Sequence, residues 1–309
     1  MIFPSDVRAL LEQTSGLKQA AADISLRYRT GRDKSLKTAT EAAAYAATRM
    51  PATFGAVGRA LELTLETLET PPETVLDVGA GTGAATLAAQ QLLNLKSAVC
   101  LENAAVMREL GQKLVKANWR AFDVMADELT ETADLVIASY MLNEVSDPIF
   151  AARKLWNATD GVLLIVESAL PEAVALLQKI RADLVGQGAF AAAPCPHDKP
   201  CAEWCHFACR IERSRLHKLL KDGDAPFEDE KFSFLALTKA PVSRCFARIL
   251  RHPQIGKNKV GLTLCTADGI VEKTVFKADK TLYKAARKAK TGDTWQETSL
   301  IDKRAFYRS

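Results

Sequence analysis

The chain has 309 residues, 48% hydrophobic and 25% charged, with seven cysteines and a formal net charge of +4. This composition excludes a disordered or fibrous protein and leaves room for one large domain with additions, or for two domains. No apolar run approaches the roughly 18 residues of a membrane span, and Met1-Ile2-Phe3-Pro4-Ser5 lacks a basic-then-apolar leader, so a cytoplasmic monomer with no membrane partner is expected.

Charge is unevenly spread. Residues 240–309 hold 15 Lys and Arg against 6 Asp and Glu, while the remainder carries 26 against 31. A basic C-terminal module on a mildly acidic body suits a polyanionic partner.

Residues 1–70 read as a helical region. Val7, Leu10, Leu11 and Leu17 are helically spaced, the Ala-rich stretch Thr38–Arg49 is strongly helix-forming, and Pro51 is expected to limit that helix from its far side. Arg27-Tyr28-Arg29-Thr30-Gly31-Arg32 interleaves an aromatic with arginines, a combination that can grip phosphate and stack on a base. A packed Tyr28 among solvated arginines is the plain alternative.

Residues 71–190 read as an α/β core. Strands are expected at Val75–Val78, Ala98–Leu101, Asn118–Phe122, Leu135–Ser139 and Val162–Val166, with helices such as Val106–Val115 and Ile149–Leu155 between them. That alternation predicts a mainly parallel sheet covered on both faces. The first strand ends in Asp77-Val78-Gly79-Ala80-Gly81-Thr82-Gly83, a glycine turn opening a helix, which is how doubly wound sheets build a nucleotide crevice. Read as Gly79-x-Gly81-x-x-Ala84 the loop formally fits a dinucleotide. Asp77, however, is poorly placed for a pyrophosphate and well placed for the ammonium of S-adenosylmethionine (SAM), so SAM is the expected ligand. Glu102, at the end of the second strand, is positioned to accept from both ribose hydroxyls. Asp123, after the third, could reach an adenine edge or simply cap a turn. Cofactor-binding candidates are thus Asp77, Gly79, Ala80, Gly81, Gly83, Glu102 and Asp123.

After the fourth strand, Tyr140, Asn143 and Glu144 are candidates for lining the pocket that faces a transferred methyl; alternatively Asn143-Glu144 caps the next helix. There is no Asp/Asn-Pro-Pro-aromatic motif and no Pro-Cys nucleophile on the core strands, so catalysis is weakly signposted.

Residues 191–239 contain the Cys-rich segment. Cys195, Cys201, Cys205 and Cys209 are spaced C-x5-C-x3-C-x3-C, with His197 and His206 interleaved. Four cysteines this close in a reducing compartment signal metal, and thiolates suit both zinc and iron–sulfur clusters. Cys100 reads as strand packing. Arg210–Arg215 reads as a basic helix start, and Phe227–Leu235 as an acidic turn entering a strand. In the module 240–309, Val260–Cys265 and Ile270–Phe276 flank a hairpin turn at Thr266–Gly269. Cys265, beside that turn, could fold back as a distant ligand. Lys280–Lys290 is a basic amphipathic stretch.

Together these residues resemble one family, the methyltransferase-like proteins of the mitochondrial small ribosomal subunit (Rsm-twenty-two type) and their bacterial relatives. The resemblance covers nearly the whole chain. It rests on Arg27-Tyr28-Arg29, Arg49-Met50-Pro51-Ala52-Thr53, Asp77–Gly83, Ser139-Tyr140-x-Leu142-Asn143-Glu144, Cys195-Pro196-His197, Trp204-Cys205-His206-Phe207 and Glu228-Asp229-Glu230-Lys231-Phe232-Ser233. It implies a Rossmann-like class I SAM-dependent methyltransferase fold with an N-terminal helical extension, a Cys-rich metal-binding insertion and a small basic β-containing C-terminal module. It also implies action on small-subunit ribosomal RNA or the pre-ribosomal small subunit, either as a methyltransferase or as a non-catalytic assembly factor. A [4Fe–4S] cluster on Cys195, Cys201, Cys205 and Cys265 is implied as well. The stretch between Cys201 and Cys205 is shorter than in relatives, which makes Cys209 the alternative third ligand, and the interleaved His197 and His206 keep zinc as the alternative metal. Glu167-Ser168-Ala169-Leu170-Pro171 lacks a glycine the family pattern has there.

Overall fold

The computed structural model describes residues 3–30 and 35–296. Helices α1 (Ser5–Glu12), α2 (Leu17–Thr30) and α3 (Ala39–Leu65) come first. A capping box starts α3: Glu41 N–H donates to Thr38 Oγ1 (3.1 Å), and Thr38 N–H donates to the Glu41 carboxylate (3.2 Å). Arg27 of α2 pairs with Glu41 at 2.6 Å, tying the two helices together. Pro51 does not end α3 but lies inside it. The missing hydrogen bond and ring clash cost about 3 kcal/mol. Met50, Phe54, Val57, Leu61 and Leu63, all buried along the same helix, offset that cost. The side chains of Tyr28 and Arg29, and residues 31–34, lie outside the described residues, so the side chains of the arginine–tyrosine segment are described only for Arg27 and Thr30.

The α/β core follows as β1 (Thr74–Val78), α4 (Ala84–Leu92), β2 (Ser97–Leu101), α5 (Ala105–Leu114), β3 (Asn118–Arg120), β4 (Ala133–Ser139), α6 (Pro148–Asn157), β5 (Thr159–Ser168), α7 (Pro171–Gly186) and β6 (Phe190–Ala193). Then come β7 (Phe207–Glu212), α8 (Arg215–Leu220) and β8 (Phe227–Thr238). The sheet order is β3-β2-β1-β4-β5-β8-β6, with β7 pairing β8. Strands β1 to β5 are mutually parallel and β8 is antiparallel to β5. This is the Rossmann-like order of the methyltransferase fold, reversing at β1/β4, where open α/β sheets place their ligand crevice.

Two expectations change here. Residues 207–212 form strand β7 rather than a helix start; α8 begins later, with Ser214 accepting from His217 N–H. The stretch from Phe227 is strand throughout, because β7 and β8 pair along their whole acidic and basic stretch.

One apolar core joins α1, α2 and α3 to α4 and one face of the sheet; another lies under α6 and α7 on the opposite face. The C-terminal residues build a second sheet from β9 (Ala247–Ile249), β10 (Gln254–Ile255), β11 (Lys259–Thr266), β12 (Gly269–Phe276) and β13 (Thr294–Trp295), backed by α9 (Lys280–Lys288) over its own small core. The expected hairpin is β11–β12. Contacts of this sheet with the preceding residues include Arg59–Asp293 (3.0 Å) and Thr294–Glu66 (3.0 Å).

Candidate functional site

Gly79, Gly81 and Gly83 all have positive φ, which lets β1 reverse into α4 without strain. Gly79 and Ala80 N–H both donate to Leu101 O at the tip of β2, so the loop is hung on the neighbouring strand. Asp77 is fully buried beneath it. Its Oδ2 accepts the N–H and hydroxyl of Thr86 (3.1 and 2.9 Å), while Oδ1 has no partner. Burial pushes its carboxyl up to about 6. Asp77 therefore braces the loop against α4 from below and presents no surface to the crevice. Glu102 stands at the crevice rim, and its two oxygens accept from Gly81 N–H and Ala104 N–H, both at 2.7 Å. Asp123 accepts from Met125 N–H (2.9 Å) and Asn103 Nδ2 (3.3 Å), which makes it a turn cap in this structure.

A cavity of about 1070 Å³ is walled by α2, α3, Tyr140, Asn143 and Glu144, the end of β5, the start of α7 and the end of α8; it adjoins the crevice through Met141, which packs on Gly79. Tyr140, Asn143 and Glu144 all line it. The last two do not cap α6, whose N-cap is Asp147; they form a single 3-10 turn, Leu142–Glu144. Tyr140 sits at φ 56, a conformation rare for an aromatic residue. Its hydroxyl donates to Glu230 of β8 (3.0 Å), which also pairs with Arg49 of α3 (3.3 Å). Three segments that carried the family resemblance thus meet at one ion-paired node. Sequence reasoning missed Glu167 as a site residue. At the end of β5 it lines the same cavity and accepts from Leu142 N–H (2.9 Å) and Asn143 Nδ2 (2.7 Å), and burial raises it to about 7. Tyr45 was missed too. From α3 it lines the cavity, and its phenol, raised first by burial, also senses Glu144, Glu102 and Glu230.

Between β6 and β7 the Cys-rich stretch has no regular structure and is held by side chains around it. Ser233 donates to Cys205 O (2.7 Å), Gln178 to Glu203 O (2.7 Å) and Trp204 to Ala169 O (2.9 Å), while Arg244 and Arg251 pair with Asp198 and Glu203. Cys195, Cys201, Cys205 and Cys265 gather here, with Cys245 beside Cys265. Cys205 is pushed up by burial and then by Cys195, Cys201 and Cys265; Cys265 is raised to about 12 by burial and then by Cys195 and Cys201. Cys209 is not among them. It lies on β7, where burial and then Glu230 and Asp229 raise it to about 12. Cys100 is buried under the glycine loop, 3.2 Å from the Thr86 hydroxyl. Among the described residues, no three His, Cys, Asp or Glu side chains converge as a single-ion site.

The family model described as "Mitochondrial small ribosomal subunit Rsm22" matches residues 39–296. The human mitochondrial ribosome assembly protein METTL17 is 28% identical over 286 residues, covering 81% of this chain and 61% of its own length; the chain thus spans about three fifths of that relative. Among solved structures, the plantazolicin methyltransferase BpumL in complex with SAH is 11% identical with a TM-score of 0.46, covering 76% of this chain and 100% of its own. The same enzyme with a monoazolic desmethylPZN analog and SAH is 13% identical with a TM-score of 0.46, covering 77% and 100%. The family match opens on the first residue of α3 and closes just past β13, so this chain belongs to the Rsm22 family of the mitochondrial small ribosomal subunit.

Proposed function

We propose that this protein binds SAM at the Gly79–Gly83 loop and methylates RNA of the small ribosomal subunit during assembly, in the cytoplasm. The observation that carries this is the cavity of about 1070 Å³ opening beside the loop at Tyr140–Glu144, where a base extruded from RNA has room to enter. The loop fits SAM in its chemistry: positive-φ glycines allow close approach, and the acidic rim residue Glu102 suits ribose hydroxyls and disfavours a phosphate. SAM supplies an electrophilic methyl group. The chain's contribution is positional: Glu167 holds the Asn143 amide, and the Arg49–Glu230–Tyr140 node fixes the Tyr140 ring. Basic residues of the C-terminal module grip phosphates, so affinity for small-subunit RNA should fall tenfold or more between about 50 and 200 mM salt.

The Cys-rich stretch is proposed as an insertion that holds a [4Fe–4S] cluster on Cys195, Cys201, Cys205 and Cys265. Mutual proximity of these four thiols supports that set, and the remote position of Cys209 argues against it as the third ligand. Anaerobically purified protein should be brown; a colourless protein with one stoichiometric zinc overturns this part.

The test of the enzymatic reading is transfer of label from isotopically labelled SAM to immature small subunits, using protein with its metal centre intact. Incorporation is expected, and its absence rejects methyl transfer. A second reading, a SAM-dependent platform for assembly without catalysis, is favoured by the similarity to METTL17, a ribosome assembly protein. Gly83→Ala separates the two. Gly83 has φ +85, and an added Cβ would sit 2.9 Å from Val115 Cγ2 and 3.1 Å from Trp119 Cζ2, so the loop must deform and SAM affinity should drop at least about tenfold. A variant that no longer binds SAM yet fully restores subunit maturation establishes the platform.

A further inference from the structure

Two arginines lie buried beside the four thiols with no carboxylate partner among the described residues. Arg181 of α7 is 6% exposed and Arg248 of β9 is 1% exposed. Arg181 donates to the carbonyls of Lys199 (2.9 Å) and His197 (2.5 Å) in the Cys-rich stretch, and its Nε has no partner. Arg248 donates to Pro194 O (3.1 Å), Gly292 O (3.1 Å) and Thr294 Oγ1 (3.1 Å), and its Nη2 has no partner. Their acceptors flank Cys195: Arg248 holds the carbonyl of Pro194 and Arg181 that of His197.

Carbonyl oxygens satisfy hydrogen bonds but do not neutralise charge. An isolated buried guanidinium is among the costliest groups a fold can carry, and it persists where an anion completes it. Two such groups from separate elements, one on the α/β core and one on the C-terminal sheet, converge on the backbone that carries Cys195. His197, itself buried, adds a third polar contact, with Nε2 3.7 Å from Cys265 Sγ and Nδ1 without a partner.

We propose that Arg181 and Arg248 are the buried counter-charges of the four-cysteine metal centre. This rests on the reading that Cys195, Cys201, Cys205 and Cys265 bind metal as thiolates. Four thiolates around a [4Fe–4S] core of two positive charges form a dianion, and two guanidinium groups balance it. The unpartnered Nε and Nη2 hydrogens are the donors the cluster's sulfurs would accept. Net charge and hydrogen bonds to sulfur are the levers by which a protein sets a cluster's reduction potential, so the pair also fixes how readily the cluster takes an electron from an external reductant.

The experiment compares wild type, Arg181→Gln and Arg181→Lys, purified anaerobically, for iron content and for midpoint potential in a dithionite titration with mediators. Arg181→Gln keeps the amide donors but not the charge. It should retain iron, shift to a more negative midpoint and lose its cluster several-fold faster to an iron chelator, while Arg181→Lys stays close to wild type. Iron bound with the midpoint and loss rate unmoved in Arg181→Gln overturns the counter-charge role alone, and so does Arg181→Lys matching Arg181→Gln. Wild-type protein that takes up no iron overturns the cluster reading itself, and this inference with it. Should Arg181→Gln fail to fold, wild type labelled with [15N]arginine carries the test. The reduced cluster should show weak 15N couplings in pulsed EPR, and their absence rejects the contact.

Discussion

Glu167 shows how one side chain can order a site without advertising itself. Both its oxygens are engaged from residues 142 and 143, so it fixes where the Asn143 amide points. Its pH behaviour is distinctive. The folded carboxyl holds its proton up to about 7, against 4.5 for the free group, because burial disfavours the charged form. The folded state therefore binds more protons than the unfolded one between those values. The contribution to stability is complete below about pH 4.5 and is lost as pH rises through about 7. Glutamine does not titrate. The stability of wild type minus that of Glu167→Gln should therefore fall by about 3 kcal/mol from pH 4.5 to pH 8, measured by urea unfolding at a series of pH values; a difference flat in pH refutes the assignment. Nothing in the local sequence marked Glu167, since its significance comes from the residues across β4 that reach it. Asp77 and Glu102 were legible because they flank a glycine loop. Yet the depth of Asp77 was not, since burial depends on how α4 closes over the loop.

At the scale of elements, α3 organises more of the molecule than its sequence suggested. It packs on α2 and α4, carries Tyr45 and Arg49 to the cavity, and passes straight through Pro51. Local rules placed a helix end there because they weigh the lost backbone bond and cannot see the buried face that outweighs it. The parallel core strands were legible from apolar runs between turn residues. By contrast, β7 and the acidic start of β8 were not, because two polar strands stabilise one another through cross-strand pairs such as Arg210–Asp229 at 2.8 Å. The Arg49–Glu230–Tyr140 node ties α3, the end of β4 and β8 together. Glu230→Gln removes the charge that faces Arg49, whose side chain is 38% exposed and so partly solvated. The expected loss is about 1–2 kcal/mol, read by thermal melting. Labelled-methyl incorporation should fall further than stability alone explains, because a neutral amide oxygen holds the Tyr140 hydroxyl more weakly than the carboxylate does. Loss of stability with full activity would mean the node is only a brace.

On the scale of the whole molecule, the Cys-rich stretch is where the two sheets meet. Cys195, Cys201 and Cys205 belong to the connection leaving β6, while Cys265 lies on β11 of the C-terminal sheet. Arg244, Arg248 and Arg251 reach back from that sheet to Asp198, Pro194 and Glu203. Other contacts between the two parts include the pairs Arg59–Asp293 and Thr294–Glu66, which contribute about 1 kcal/mol or less each, and the packing of Gly292 on the Phe207 ring and of Val242 on the first core. A metal centre ligated from both sides would add to this coupling. Removing it leaves two buried arginines without an anion and four thiols without a shared partner, and that penalty falls on the interface rather than on either core. Stripping metal with a chelator under reducing conditions should make residues 194–206 and 240–246 the first sites of limited proteolysis. The 71–190 core should keep its protection and its far-UV signature. Cys265→Ser should reproduce the effect, whereas Cys209→Ser, at a thiol that stands apart, should not. Proteolysis unchanged by metal removal would mean that these other contacts alone hold the C-terminal sheet. The basic surface would then be presented to RNA independently of the metal centre.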